Sequence, residues 1–213
     1  MRWNLLGLIL VLARPGLAAA EETAEPLAFY PRASIGVGCG LWLGDVAGLT
    51  PSGAAARVEG DWQVAPGLFV NGGWDLASVH DDDDTLAAPV AATVNHGSLG
   101  LRHAVFSFGA GPTALGGDLF VRAALGREWT RWERGGKLAR TTLSLGLGGT
   151  IVLPRHDRSR PFALIRYGMR FLFARAPDPG KVPLTCDAPC EELTRTRPYD
   201  KSMLLEIGGS FGR

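Results

Sequence analysis

The chain has 213 residues, of which 46% are hydrophobic and 29 are glycine, and 22 Lys and Arg stand against 21 Asp and Glu. A net charge of +1 gives no electrostatic sign of nucleic-acid binding, and high apolar content with balanced charge argues against a disordered chain. Glycine is about twice as frequent as usual, without a rise in serine or proline. The composition favours strands with close backbone approaches, and the length suits one all-β domain or two small domains.

Residues 1–20 have the pattern of an export signal. Arg2 supplies a positive charge near the start, Leu5 to Ala13 form a short apolar core, and three alanines end the segment. A transmembrane anchor helix is the alternative, but it needs about 20 apolar residues. Arg14-Pro15-Gly16 interrupts the apolar run too early for that. We therefore expect a cleaved signal peptide.

Eight later segments alternate with period two between apolar residues and small or polar residues, which is typical of strands. Each covers about ten residues, the length that a tilted strand needs to cross a membrane. The four clearest segments are 54–64, 139–153, 163–173 and 202–211. The four weaker ones are 34–43, 68–76, 96–105 and 119–128.

The connections between these segments alternate in length. Ala65-Pro66-Gly67 predicts a tight turn, whereas the two longest connections, 77–93 and 175–200, fall on the opposite end of the predicted sheet. Short turns at one end and long loops at the other are typical of outer-membrane barrels. Two connections fit less well, because 106–118 is long for its end and 132–138 is short for its end.

Charge distribution distinguishes a membrane barrel from a soluble one. The three lysines, Lys137, Lys181 and Lys201, all lie in connections or at strand ends, although a water-exposed strand face normally uses lysine freely. The polar face instead carries glycine, alanine, serine and equal numbers of arginines and carboxylates. Such a set suits a confined, ion-paired lumen. Its members are Arg57, Glu59, Asp61, Asp75, Arg102, Arg122, Glu128, Arg166, Arg170 and Glu206.

The other face is then predicted to touch lipid, and residues such as Leu143, Leu145 and Leu147 belong to it. Aromatic residues on this face fall near the strand ends and would form the two girdles of a membrane barrel. They are Trp62 and Phe211 at one end, and Trp129, Phe171 and Phe173 at the other. The alternative is a soluble exported barrel that has its apolar face inside and binds an apolar ligand.

The eight segments, the export signal and the loop asymmetry together resemble the small outer-membrane β-barrels of Gram-negative bacteria, the OmpA/OmpX/Ail type. The resemblance implies an all-β, eight-stranded, antiparallel, up-and-down transmembrane barrel over residues 33–213, after the signal 1–20 and a short periplasmic tail, 21–32. Such barrels usually finish with an aromatic residue that helps insertion, whereas here Gly212 and Arg213 follow Phe211.

The same resemblance implies contacts with outer-membrane lipid and with the barrel-assembly machinery. It implies neither a cofactor nor a wide pore, because side chains fill the interior of an eight-stranded barrel. The biological role would lie in the extracellular loops, as a structural, adhesive or partner-binding role toward a partner that the sequence does not name.

Cysteines and acidic residues mark two connections. Cys186 and Cys190 lie in the longest one, where an oxidising compartment predicts a local disulfide. A metal site there would need two more ligands. Cys39 is left on the apolar face as a small hydrophobic residue.

Asp81 to Asp84 could hold Ca²⁺ or form a solvated acidic loop tip, and the absence of a ligand pattern with a spaced glycine favours the acidic tip.

One pair suggests an enzyme. His96 and Ser98 lie on the same side of a strand and resemble the His-x-Ser dyad of outer-membrane lipid A deacylases, in which a base activates a serine. No acidic residue occurs between Ser98 and Asp118 to orient the histidine. A lipid-modifying enzyme is therefore the alternative function, and an ordinary lumen pair is the favoured interpretation.

Overall fold

The computed structural model describes residues 31–44, 52–80, 91–109, 115–133, 137–154, 161–175 and 199–212. These residues form eight strands, each antiparallel to its neighbour in sequence, and β8 pairs with β1 to close a barrel. The strands are β1 Ala33–Leu43, β2 Ser52–Ala65, β3 Leu68–His80, β4 Ala92–Phe108, β5 Gly116–Trp132, β6 Lys137–Val152, β7 Phe162–Arg175 and β8 Tyr199–Gly212. The predicted eight-stranded, antiparallel, up-and-down barrel is confirmed.

The two ends of the barrel differ in their connections. At one end, here called the turn end, β2 and β3 are joined by a tight turn in which Gly67 has a φ of 70°, a conformation that favours glycine. The other end, here called the loop end, carries the stretches 81–91 and 176–198 between consecutive strands. Among the described residues no helix is long and apolar enough to span a lipid bilayer.

Alternation along each strand sorts the side chains between the inside and the outside of the barrel. On β2, Val58 and Trp62 point outward and are 49% and 65% exposed, whereas Arg57 and Asp61 point inward and are 6% and 5% exposed. On β6, Leu145 is 45% exposed and its neighbour Ser144 is 2% exposed. The apolar set therefore covers the outside, which is the reverse of a soluble barrel.

The strands are longer than the ten or so residues that the alternation predicts, and reach 17 residues in β4 and β5. These two strands stay paired as far as Phe108 and Gly117, so their connection is shorter than the predicted 106–118. The pairing shifts register between Ala104 and Phe106, and Val105 and Phe106 are both exposed. This irregularity interrupts the period-two pattern of the sequence, so the pattern predicts an end of β4 near residue 105, although the strand continues to Phe108.

The interior has three layers along the barrel axis. An apolar cluster fills the loop end and includes Trp42, Val79, Val94, Trp132, Leu172 and Leu204. A smaller apolar cluster fills the turn end and consists of Phe69, Val152, Phe162 and Leu164. Between them lies the charged layer. The alternation in the sequence predicts small and charged residues inside the barrel. The apolar clusters at both ends are a feature that this prediction does not include.

Several predictions concern residues that the structure does not describe. The signal peptide 1–20 and most of the tail 21–32 lie outside the described residues. So do the acidic run Asp81–Asp84 and the cysteine pair Cys186 and Cys190. These remain predictions from sequence.

Candidate functional site

The charged layer contains every charge that the sequence assigned to the lumen. Within the described residues it holds six arginines and six carboxylates, joined by salt bridges. Besides the ten predicted residues it includes Arg140 and Asp118. Sequence reasoning left these two out of the set, although both continue the inward phase of their strands.

Asp75 belongs to this layer and is fully buried. Its Oδ1 accepts hydrogen bonds from Arg57 Nη1 at 2.8 Å and from Arg170 Nη2 at 2.7 Å. Its Oδ2 lies 3.0 Å from His96 Nδ1. One carboxylate thereby ties β2, β4 and β7 to β3, and charge-assisted bonds of this kind are stronger than neutral ones.

A second group of contacts crosses the lumen toward β7 and β8. Arg166 donates from Nη1 to Glu59 Oε1 at 3.0 Å, and its Nη2 lies 2.5 Å from Asp61 Oδ2. Glu206 is bound by Arg122 and by Arg170 Nε, the latter at 3.0 Å. Most of these partners lie on strands that are not neighbours, so the salt bridges brace the barrel across its interior.

Two further arginines pair with carboxylates toward the two ends of the charged layer, and one of them also contacts the turn-end cluster. Arg102 Nη1 lies 2.9 Å from Asp118 Oδ2, and its guanidinium carbon lies 4.1 Å from the centroid of the Phe69 ring. A guanidinium stacked on an aromatic face is favourable when desolvated. Toward the loop end, Arg140 Nε donates to Glu128 Oε1 at 2.8 Å.

His96 is fully buried and both of its ring nitrogens have partners other than Ser98. Besides the Asp75 contact, Nε2 lies 2.9 Å from Thr142 Oγ1. A neutral ring with its proton on Nδ1 satisfies both contacts, by donating to Asp75 and accepting from the threonine hydroxyl. Ser98 lies opposite Gly73 and Gly126 in the sheet. In the described residues no hydrogen bond joins His96 to Ser98.

The ring of His96 fits because it lies over Gly126 of β5, which has no side chain. A Cβ atom on Gly126 would lie 2.6 Å from His96 Nε2 and 2.7 Å from Thr142 Oγ1. Real Cβ atoms do not approach other atoms so closely, so the imidazole occupies the space that a side chain at position 126 would need. Within the described residues no group of three or more His, Cys, Asp or Glu is placed to hold a metal ion.

Outside, apolar side chains form a continuous belt. Along β5 and the residue before it, the outward positions from Leu115 to Leu125 span about 25 Å of barrel axis at a strand tilt of about 40°, which matches the height of a lipid-facing band. Large exposed members of the belt include Ile35, Val37, Leu99, Leu125, Leu147, Ile165 and Ile207.

Aromatic side chains lie toward both ends of this belt. Trp62 and Phe211 are 65% and 63% exposed near the turn end. Nearer the loop end, Trp129 stacks on Trp74 with ring centroids 5.4 Å apart. Phe171 is exposed there and Phe173, one outward position further toward the loops, is half-buried.

Comparison with known proteins identifies the fold of the chain. No protein-family model matches the chain, and no curated protein sequence matches it. Among solved structures, Neisserial surface protein A is similar over 85% of this chain and 97% of that one, with a TM-score of 0.52 and 11% identity. The chain has the fold of a small outer-membrane β-barrel.

Two further barrels align with lower scores. Ail, the attachment invasion locus protein of Yersinia pestis, aligns over 84% of this chain and 95% of its own, with a TM-score of 0.39 and 11% identity. A major outer membrane protein from Thermus thermophilus aligns over 84% and 98%, with a TM-score of 0.39 and 15% identity.

Proposed function

We propose that this protein is an integral outer-membrane barrel that acts as a closed, rigid support for its loop-end connections. The observation that carries the proposal is the sorting of side chains, with charges paired inside and an apolar belt outside. Water cannot solvate that belt favourably, whereas lipid can, and a closed barrel leaves no strand edge unpaired in the bilayer.

The packed interior supports a barrel without a wide pore. Trp42 is fully buried in the loop-end cluster and Phe69 is 1% exposed in the turn-end cluster. Between them the charged side chains pair with one another. Ions would have to displace an apolar layer at each end and break buried salt bridges, which costs several kcal/mol for each unpaired charge.

The longest connections support a role at the loop end. The stretches 81–91 and 176–198 join consecutive strands there, and exposed loops on a rigid scaffold are where binding residues concentrate. We propose a structural, adhesive or partner-binding role carried by these stretches. We propose no catalytic role for His96 and Ser98, since the histidine is engaged by Asp75 and Thr142.

The membrane placement is tested by refolding the full chain with phosphatidylcholine liposomes. We expect the protein to float with the liposomes on a density gradient and to resist extraction by carbonate at high pH. Protein that stays at the bottom of the gradient in a folded form would contradict the proposal and would favour a soluble barrel.

The closed lumen is tested with the same preparation in a planar bilayer. We expect no steady conductance in 1 M KCl from the natural chain. A second variant, Trp42→Ala combined with Phe69→Ala, removes one large ring from each apolar layer, and we expect its conductance to exceed that of the natural chain. Stable channels in the natural protein would contradict the closed lumen.

A further inference from the structure

The outward face of β4, β5 and β6 changes character near the loop end. Leu99, Leu125 and Leu143 lie side by side in one row of the sheet, and this row is the last purely apolar one. Three outward rows follow toward the loops. The first holds Gly97, Arg127 and Thr141, and the third holds Thr93, Arg131 and Lys137. These two rows place cations between the lipid-facing belt and the loops.

These cations are exposed and point away from the lumen. Arg127, Arg131 and Lys137 are exposed, and the structure shows no hydrogen bond or salt bridge from their side chains to any other described residue. Thr93 and Thr141 are exposed beside them and offer hydroxyl groups. We call these five residues the basic patch. One exposed carboxylate, Glu133, lies past Arg131 toward the loops, so the patch keeps a net positive charge.

Tryptophan marks the height of the basic patch. Trp129 lies between Arg127 and Arg131 on the outward face of β5, and it stacks on Trp74. Tryptophan rings prefer the level of lipid headgroups, where one edge is apolar and the other is wet. The cations of the basic patch are therefore at the depth of lipid phosphates.

At the turn end of the same strands, the described outward positions hold no arginine or lysine. They include Phe106, Phe108, Leu119 and Leu153, which are exposed and apolar, and His103, which is half-buried. On these strands the outward arginines and lysine are therefore confined to the loop end. Cations without internal partners are stabilised near a negatively charged membrane surface.

We propose that the basic patch binds the phosphate groups of lipids in the leaflet at the loop end. Arg127 and Arg131 are the main ligands, because a guanidinium binds phosphate oxygens in a bidentate manner. Lys137 adds charge, and the two threonine hydroxyls donate to the headgroup. This inference rests on the proposed membrane placement.

The test uses the full chain in nanodiscs of equal parts phosphatidylcholine and phosphatidylglycerol. The lipids that remain on the protein after release into mild detergent are counted by native mass spectrometry. We expect the natural chain to retain phosphatidylglycerol in clear excess. In Arg127→Ala/Arg131→Ala the ratio should fall, by about fivefold for each cation removed.

The matched control is Arg155→Ala/Arg158→Ala. It removes two cations from the connection between β6 and β7, at the turn end of the barrel and outside the basic patch, so the net charge changes equally. We expect this variant to keep most of the preference for phosphatidylglycerol. An equal loss in both double variants would overturn the assignment to the patch, since it would show only a general effect of charge.

Two further outcomes separate the possible failures. A chain that enters nanodiscs but retains both lipids equally would overturn the phosphate site and leave the membrane placement intact. A chain that enters no bilayer would contradict the membrane placement itself. Displacement of the retained phosphatidylglycerol by glycerol 3-phosphate at a matching concentration would overturn the lipid assignment, because the patch would then recognise soluble phosphate.

Discussion

Single residues in the charged layer carry unequal shares of its stability. Asp75 is fully buried and faces two arginines and a histidine, whereas the side chains of Glu59 and Glu206 are 12% exposed. Removing one member of a buried salt bridge is costly mainly because its partners keep their charge without compensation. The arrangement identifies Asp75 as the residue whose loss the lumen tolerates least.

We expect Asp75→Ala to lower the free energy of unfolding by about 3–5 kcal/mol, because Arg57 and Arg170 are left buried without their shared acceptor. The measurement is urea unfolding in detergent micelles, followed by tryptophan fluorescence. Glu133→Gln, which neutralises an exposed carboxylate at the end of β5, serves as the control and should change stability by less than about 0.5 kcal/mol. Similar costs in the two variants would argue against a central role for Asp75.

The cysteines give a second prediction at this scale. Cys39 is exposed on the outward face of β1 and is a free thiol, while Cys186 and Cys190 are expected from sequence to form a local disulfide. Thiol counting on the denatured, unreduced chain should therefore find one reactive cysteine. Three reactive thiols would rule out the disulfide, and none would point to an intermolecular bond at Cys39.

At the scale of elements, the pairing of β4, β5 and β6 depends on glycine at one inward position. Gly126 lies on β5, next to the side chains of His96 on β4 and Thr142 on β6. No side chain of β5 therefore separates His96 from Thr142. Close approach at that point allows the hydrogen bonds of His96 to form. The outward Gly60 has no such neighbour, since the nearest heavy atom to a Cβ there is 3.6 Å away.

We expect Gly126→Ala to destabilise the barrel by about 1–3 kcal/mol, because the added methyl group would lie less than 3.0 Å from His96, Thr142 and the backbone oxygen of Gly97. Gly60→Ala provides the matched control on β2, and should be neutral or slightly stabilising because alanine loses less backbone entropy in a strand. Both values come from the urea unfolding described for Asp75. Equal effects at the two positions would show that the space around His96 is less restricted than the structure indicates.

At the scale of the whole molecule, the barrel reverses the usual arrangement of a soluble protein. Its charged residues are buried and paired, and its large apolar residues are exposed. Both features are unfavourable in water and favourable in a bilayer, since lipid solvates the belt and cannot solvate unpaired charges. Apolar clusters lie on both sides of the charged layer within the lumen.

Cysteine scanning along 143–147 tests this arrangement directly. In a chain whose natural cysteines are replaced by serine, a fluorescent label at 143, 145 or 147 should be quenched by a quencher in the lipid phase. Labels at 144 and 146 should be shielded from it, because Ser144 is 2% exposed and side chains at these two positions point into the lumen. Equal quenching at all five positions would contradict the facing of β6.

Local pattern alone determined the number of strands, their order and the face on which each side chain lies. The reason is that side chains alternate strictly along any strand, so charged and apolar residues in opposite phases identify the two faces wherever the strand is regular. Arg57, Glu59 and Asp61 are recognisable as one inward set in this way. The same rule failed beyond Ala104, where an irregularity of β4 breaks the alternation.

Only the tertiary structure decided which charges meet. Arg166 and Glu59 are far apart in sequence and lie on strands that do not pair, so their contact depends on barrel closure and on the register of every strand between them. The engagement of His96 by Asp75 and Thr142 rather than by Ser98 has the same origin. The apolar layers at the two ends also arise from closure, because they are assembled from single residues that different strands bring to one height.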